Sequence, residues 1–304
     1  MSNYDINYLG NKAKELGFVR DTLEKVIRLA DILEYLNTNP ILKDTLALKG
    51  GTAINLTIFN LPRLSVDIDM DYLITDNKEE MLKSREVIKS TIERFMVSYG
   101  YSTNPKTKNY HSLESWVYDY QGTSWNKDNI KIEINYSLRS HVLEVEKRPI
   151  ITEHFSSDFK VKSLAPIEIY GSKLNALLSR AAARDLYDAR NMIKFGIFDE
   201  SEAEMLKKCV IFYAAISAKN INKTFDTSAI DSITQQKVKR DLLPVIKTKD
   251  DFELKTAKKL VKEYIKNLMV LTKEEKEFLD RFENGEYMPN LLFDDEAILN
   301  RIKN

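Results

Sequence analysis

The sequence predicts an α/β (α+β) architecture in two parts: an N-terminal lobe built on a small mixed sheet, then a mainly α-helical C-terminal lobe. Three observations carry this. Arg63-Leu-Ser-Val-Asp-Ile-Asp-Met70 and Ile130-Lys-Ile-Glu-Ile-Asn-Tyr136 alternate polar and apolar residues with the period of two of a half-buried strand. Amphipathic segments of helical period precede and separate those strands. Beyond Pro166 the patterns are long and helical, with almost no strand signal, up to the closing Met288-Pro-Asn-Leu-Leu-Phe293. The lobes are accordingly divided as 1–165 and 166–304, the second expected to close over the site of the first.

Taken in order, residues from about Val19 to Leu36 set Leu23, Val26, Ile27, Ala30, Leu33 and Leu36 on one helical face, with charges opposite. Pro40 interrupts, and Leu46-Ala-Leu-Lys49 reads as a short strand delivering the chain to Gly50 and Gly51. Thr52 is expected to cap the helix that follows, which runs to about Phe59 and stops near Asn60 and Pro62. The next strand holds Asp67 and Asp69 on one face, about 6.5 Å apart along the chain. Val66, Ile68, Met70 and Tyr72 fill its other face. A charged helix from about Lys78 to Tyr99, a turn at Asn104-Pro105 and a strand near Ser115 to Tyr120 then lead to 130–136. There Ile130, Ile132, Ile134 and Tyr136 share one side, and Lys131, Glu133 and Asn135 the other.

At 304 residues the chain exceeds the usual size of a single core, which suits two lobes. Its 43% hydrophobic and 30% charged residues exclude wholesale disorder. Lys plus Arg equals Asp plus Glu, so no global positive field attracts nucleic acid, and any such partner must be met locally. Lysines 247, 249, 255, 258, 259, 262 and 266 enrich the C-terminal lobe, but Asp250, Asp251, Glu253 and Glu263 interleave them, as on a solvated helix face. The single cysteine, Cys209, forms no intramolecular disulfide, which suits a reducing cytosol. Met1 to Lys14 lacks the apolar stretch of a secretory signal, and the run Cys209 to Ala218 is half the roughly 20 residues a membrane helix needs. A cytoplasmic location without membrane association is expected. His111, His141 and His154 are isolated, with no zinc-ligand spacing.

Gly50 and Gly51 at the mouth of a helix suit a polyphosphate, because glycine permits close backbone approach and the helix N-terminus offers free N–H groups. Asp67 and Asp69 on one strand face can bracket Mg2+ (or Mn2+). A phosphate cradle, then a strand with Asp-x-Asp, then a strand with the outward Glu133, supplies in order the parts of two-metal nucleotidyl transfer.

With these residues the chain resembles the nucleotidyltransferases of the DNA polymerase β superfamily, and within them the abortive-infection AbiEii toxins. Leu48-Lys-Gly-Gly-Thr-Ala53, Arg63-x-Ser-x-Asp-Ile-Asp69, Lys173-Leu-x-Ala-Leu-x-x-Arg180, Arg184-Asp-Leu-Tyr-Asp188 and Glu286-Tyr-x-Pro-x-Leu-Leu-Phe293 carry the resemblance. It implies that Gly50, Gly51 and Thr52 contact the triphosphate, with Arg63 and Ser65 beside them. Asp67 and Asp69 would hold metal, Lys173 would bind phosphate, and Asp188 would be the acid of the last motif. Glu133 matches the third carboxylate that the superfamily often carries on such a strand. The interval from Thr52 to Asp67 is longer than in the wider superfamily but typical of these toxins, and Thr52 stands where Ser is commoner.

Two points stay open in the sequence. On one continuous helix Lys173 and Asp188 would lie roughly 22 Å apart, too far to serve one triphosphate. With no Gly or Pro between them and Ala181-Ala-Ala183 favouring helix, no break is signalled. Asp188 is therefore either that acid or half of a surface ion pair with Arg184, and Glu133 is either a metal ligand or a solvated strand residue. Asp71 shares the parity of Asp67 and Asp69, but the family pattern does not require it.

The resemblance implies the toxin of a bacterial toxin-antitoxin or phage abortive-infection system. Its activity would be Mg-dependent transfer of a nucleotide from an NTP, GTP by family, to an RNA acceptor, tRNA by family. It also implies a winged-helix antitoxin encoded nearby, without stable protein contact. Two alternatives remain at this stage: modification of a protein hydroxyl, or nucleotide binding without turnover.

Overall fold

A computed structural model of the chain describes residues 5–150, 159–217 and 221–303. His154 and Ala218 lie outside the described residues. The chain forms two compact units. The first takes the described residues of Met1–Arg139, Val145–Leu164 and Val245–Lys249; the second takes those of Ser140–Glu144, Ala165–Pro244 and Asp250–Asn304.

The first unit is a mixed sheet with helices. Its elements are α1 (Ile6–Leu16), α2 (Arg20–Thr38), β1 (Leu46–Lys49), α3 (Gly50–Ala53), β2 (Asp67–Tyr72), α4 (Lys78–Ser98), β3 (Ser102–Thr103), β4 (Lys108–Asn109), β5 (Leu113–Gln121), β6 (Lys127–Asn135), β7 (Glu146–Pro149) and β8 (Lys160–Ser163). The strands run in the order β3-β5-β6-β2-β1-β8-β7, with β4 also on β5. β2 lies between an antiparallel β1 and a parallel β6. The alternation read from the sequence is the alternation of burial. Ile68, Met70 and Tyr72 of β2 and Ile130, Ile132 and Ile134 of β6 are buried in the core. Their polar neighbours form the other face, so the core fixes the register that aligns the charged residues.

The second unit is helical: α5 (Pro166–Arg180), α6 (Ala183–Lys194), α7 (Glu200–Ser217), α8 (Ser228–Asp231), α9 (Gln235–Asp241), α10 (Leu254–Leu268), α11 (Lys273–Glu283) and α12 (Glu296–Arg301). α5 and α7 pack closely: a Cβ at Gly171 would lie 2.5 Å from Cβ of Cys209. The buried Tyr170, Leu174, Leu177, Leu186, Tyr187, Ile211 and Phe278 belong to this unit's core. Burial also raises the Cys209 thiol well above its ordinary pKa.

The structure departs from the sequence expectations at four places. Thr52 is not a cap: the helix begins at Gly50 after Lys49, and Thr52 is wholly buried inside it. The segment runs on through a π-helical turn at Ile54–Ile58 before ending at Phe59. The helix expected from Lys173 through Asp188 breaks at Ala181, which adopts the left-handed conformation (φ 48°, ψ 56°), and restarts at Ala183. Helix propensity of alanine, a few tenths of a kcal/mol over its peers, is overridden there by tertiary pairing. Last, α1 and the β7–β8 pair lack a clear sequence signal. β7 and β8 are four-residue strands rich in Lys, Arg and Glu, with little apolar alternation to read.

Candidate active site

The outward face of β2 brings three aspartates into line. Asp67 and Asp69 are half-buried, while Asp71 is wholly buried. Across the sheet Asp69 pairs in register with Lys49 of β1 and with Glu133 of β6. Cross-strand partners share a face, so Lys49, Asp69 and Glu133 form one row. Asp67 lies beside Lys131, and Asp71 beside Ala47 and Asn135. Four carboxylates and two lysines thus occupy one patch. Lys131 Nζ is 2.8 Å from Glu133 Oε2, and Lys49 Nζ is 2.5 Å from Asp71 Oδ1.

The glycine turn is pressed onto this face. Gly50 has φ +70°, which L side chains rarely adopt, and a Cβ there would lie 2.6 Å from Asp69 Oδ2. Backbone and carboxylate therefore meet at a distance only glycine allows. A Cβ at Gly51 would lie 2.6 Å from Arg63 Nη2 and 3.1 Å from Ser65 Oγ. The buried Arg63 guanidinium also donates from Nη1 to the Leu64 carbonyl at 3.0 Å, and a bridge between Arg63 and Ile246 fixes its backbone. The Thr52 hydroxyl donates to the Asp67 carbonyl and lies 2.9 Å from Ser65 Oγ. Asn55 Nδ2 donates to the Gly51 carbonyl at 2.7 Å. Thr52 and Ser65 thus tie the turn to the strand bearing Asp67, and Arg63 sets a fixed positive charge against Gly51.

In the second unit the break at Ala181 has a clear effect. Lys173 Nζ sits 2.9 Å from Asp185 Oδ1 and 3.2 Å from Asp188 Oδ2, rather than a helix length away from Asp188. All three side chains are buried. Asp188 is therefore not half of a solvated surface pair. Burial opposes ionisation of Asp185, but Lys173 and Arg180 outweigh it and hold the carboxyl down at about 2. Asp185 Oδ2 also accepts from Arg180 Nε at 2.8 Å.

Sequence reasoning gave no role to Lys49 or Asp185 and set Asp71 aside. Asp71 was visible by parity, Lys49 by its place at the strand end before the glycines, and Asp185 by lying three residues before Asp188 on one helix face.

A model of the family described as "Nucleotidyl transferase AbiEii toxin, Type IV TA system" matches residues 31–283. The chain belongs to the AbiEii family. It is accordingly a nucleotidyltransferase toxin of a type IV toxin-antitoxin system, a family that implies an NTP substrate and an antitoxin partner. Among solved structures, the nucleotidyltransferase toxin MenT4 of Mycobacterium tuberculosis H37Rv shares the fold. The TM-score is 0.67 at 15% identity, over 93% of this chain and 98% of that one. No curated protein matches in sequence.

AbiEii proteins generally use a divalent metal, and the residues present fit one in kind. Asp67, Asp69 and Glu133 offer only carboxylate oxygens, the donors that suit Mg2+ or Mn2+ rather than a soft metal. Among the described residues no three acidic, His or Cys groups already converge as a metal cluster. Glu133 is turned to Lys131, and a ligand role requires that half-exposed pair to open. No helix among the described residues is long and apolar enough to cross a membrane.

Proposed function

We propose that this AbiEii protein transfers a nucleotidyl group from an NTP to an acceptor hydroxyl on RNA, with Mg2+ or Mn2+ held by Asp67, Asp69 and Glu133. Family resemblance points to GTP as donor and tRNA as acceptor. The observation that carries the reading is the contact between Gly50 and Asp69: a Cβ at residue 50 would stand 2.6 Å from the carboxylate. That contact joins a turn a phosphate can approach to an acid a cation can use.

In the reaction the acceptor oxygen attacks the α-phosphorus, a new P–O bond forms, and the bond to pyrophosphate breaks. The chemistry a bound divalent cation supplies is acidification of the acceptor hydroxyl and neutralisation of charge on the departing pyrophosphate. Asp67 and Asp69 position their oxygens through the β2 register, set by Ile68 and Met70 in the core. Gly50 and Gly51 leave the backbone bare for phosphate oxygens. Thr52 and Ser65 hold the turn through their hydroxyls, and Arg63 adds positive charge beneath it. Lys173 is held by the buried Asp185 and Asp188, and the phosphate role that the resemblance implies for it would require its ammonium to leave them. We place the protein in the cytoplasm, in antiviral abortive infection, with a winged-helix antitoxin that does not bind it stably.

Incubation with labelled NTPs and either total RNA or total lysate tests the acceptor. Label in RNA is expected. Label in protein alone moves the acceptor to a protein hydroxyl, and NTP binding without any transfer makes the protein a nucleotide-binding regulator.

A further inference from the structure

An exposed tryptophan stands on a strained but anchored turn beside a basic groove of the first unit. The turn joining β5 to β6 is closed by the Trp125 amide donating to the Gly122 carbonyl at 3.0 Å and the Gly122 amide donating to the Asn126 carbonyl at 2.8 Å. Trp125 adopts the left-handed conformation at φ 61°, and 86% of its surface is exposed. Both features cost free energy, because an L side chain crowds its own backbone there and an indole gains by leaving water. The turn is fixed to α2. Thr123 donates to the buried Glu24 from its amide at 3.1 Å and from its hydroxyl at 2.7 Å, and Ser124 Oγ bonds both Arg20 and Asp21.

Arg20 and Asp21 also line a groove along α1 and the start of α2, with Asn7, Asn11, Lys14 and Phe18. Its volume is about 580 Å³, within the range of ligand sites. The charge of this surface is one-sided. Among the described residues the one acid of the lining is Asp21, paired with Arg20 at 2.7 Å. The nearby Glu24 and Asp128 are held by Arg28 at 2.8 Å and Lys25 at 3.2 Å. Lys14, Lys127 and Lys247 are exposed and have no carboxylate partner among the described residues. The Lys247 ammonium lies 5.8 Å from the centre of the Phe18 ring, at the groove. This is the local patch that a chain of zero net charge needs in order to meet a polyanion.

The groove is tied to the candidate active site within the same unit. The Leu64 amide donates to the Val245 carbonyl at 2.7 Å, Arg63 bridges to Ile246, and the Thr248 amide donates to the Gly17 carbonyl at 2.8 Å. Residues 245–248 thus run from the loop that carries Arg63 to the end of α1. The attachments at Ile246 and Thr248 are at most roughly 7 Å apart along the chain.

We propose that this groove and Trp125 bind a single-stranded stretch of the RNA acceptor, with Lys14, Lys127 and Lys247 on its phosphates and the indole stacked on a base. The inference rests on the reading of RNA as the acceptor and gives that acceptor a binding site. Uncommitted ammonium groups take up a phosphate backbone, and a ring held out on a fixed turn is a stacking platform with little left to order. A protein partner would instead use Ile6 and Val19, exposed on the same groove by 40% and 49%, and the test separates the two.

The test is binding of a fluorescein-labelled, short single-stranded RNA of mixed sequence to the full chain, followed by anisotropy, with tryptophan emission recorded alongside. Trp116 is buried, so quenching by RNA reports on Trp125. Trp125→Ala is expected to weaken binding on the order of tenfold, and to raise KM for RNA equally without raising KM for the NTP. Trp125→Phe, which keeps a ring, is expected to stay within about threefold of wild type. Lys14→Gln combined with Lys247→Gln is expected to reduce the slope of log affinity against log salt by about 1.4. Wild-type affinity in Trp125→Ala, or an unchanged salt slope in the lysine variant, overturns the inference and leaves RNA as acceptor. So does transfer to RNA by a wild-type chain that does not bind the single strand. Displacement of the RNA by polyglutamate, unaltered in Trp125→Ala, would make the groove a docking surface for an acidic protein and also overturns it. A wild-type chain that labels only protein and binds no RNA removes the RNA reading, and the inference with it.

Discussion

On the strand face, Asp67, Asp69 and Glu133 are half-buried and aligned by sheet register, whereas Lys173, Asp185 and Asp188 are buried together in the helical unit. The first cluster owes its geometry to apolar neighbours on the opposite side of the same strands. The second owes it to ion pairs that bring α5 and α6 together across a break. The difference teaches where charge can be exchanged. Half-exposed carboxylates give up a lysine at little cost, but a sealed lysine with two aspartates is part of the fold itself.

Lys173→Met breaks this comparison most sharply. It leaves Asp185 and Asp188 buried without their cation, and urea unfolding is expected to register a loss of about 3–5 kcal/mol. Lys131→Met, which removes the half-exposed partner of Glu133, is expected to cost less than about 1 kcal/mol in the same assay. Equal losses would erase the distinction between the two clusters.

Gly50→Ala probes the strand face. Its Cβ collides with Asp69 Oδ2, and φ +70° disfavours any side chain. Displacing Asp69 by about 1 Å is expected to reduce nucleotidyl transfer by on the order of a hundredfold. The accompanying melting shift should correspond to only about 1–2 kcal/mol. A variant with full transfer would mean that the turn does not set the acid.

The buried cluster should also be visible in acid. Asp185 titrates at about 2 in the folded chain against an ordinary 3.8, so its contribution is present above about pH 4 and lost as pH falls through 2. That contribution is on the order of 2 kcal/mol, and Asp185→Asn is expected to flatten this limb of a stability-against-pH curve. A small effect of the opposite sign is expected at the break. Ala181 pays for its left-handed backbone at φ 48°, and Ala181→Gly is expected to raise stability by about 1 kcal/mol in thermal or urea unfolding. A loss would mean that a methyl contact at this buried position outweighs the strain.

The two regions also differ in how far they can be read from the chain. The shared face of Asp67 and Asp69 and the outward side of Glu133 were legible because period-two alternation assigns faces without knowledge of the fold. The buried pairing of Lys49 with Asp71 was not, since it depends on which acid lies deeper, and depth is a property of the packed sheet. The Lys173 cluster was hidden for a stronger reason. Ala181-Ala-Ala183 favours continuous helix, and only the pairing of Lys173 with Asp185 and Asp188 across α5 and α6 makes a strained residue worthwhile. Thr52 was misread as a cap because Ser or Thr after glycines usually marks a helix start, while here its hydroxyl is spent on the Asp67 carbonyl.

The most direct measurement is transfer of labelled nucleotide from GTP and the other NTPs to total RNA by the wild-type chain and by Asp69→Ala, with and without Mg2+. The same pair is compared for growth arrest on expression. The account predicts labelled RNA and arrest only for the wild type, with label only when Mg2+ or Mn2+ is present. Transfer and arrest that persist undiminished in Asp69→Ala would contradict it.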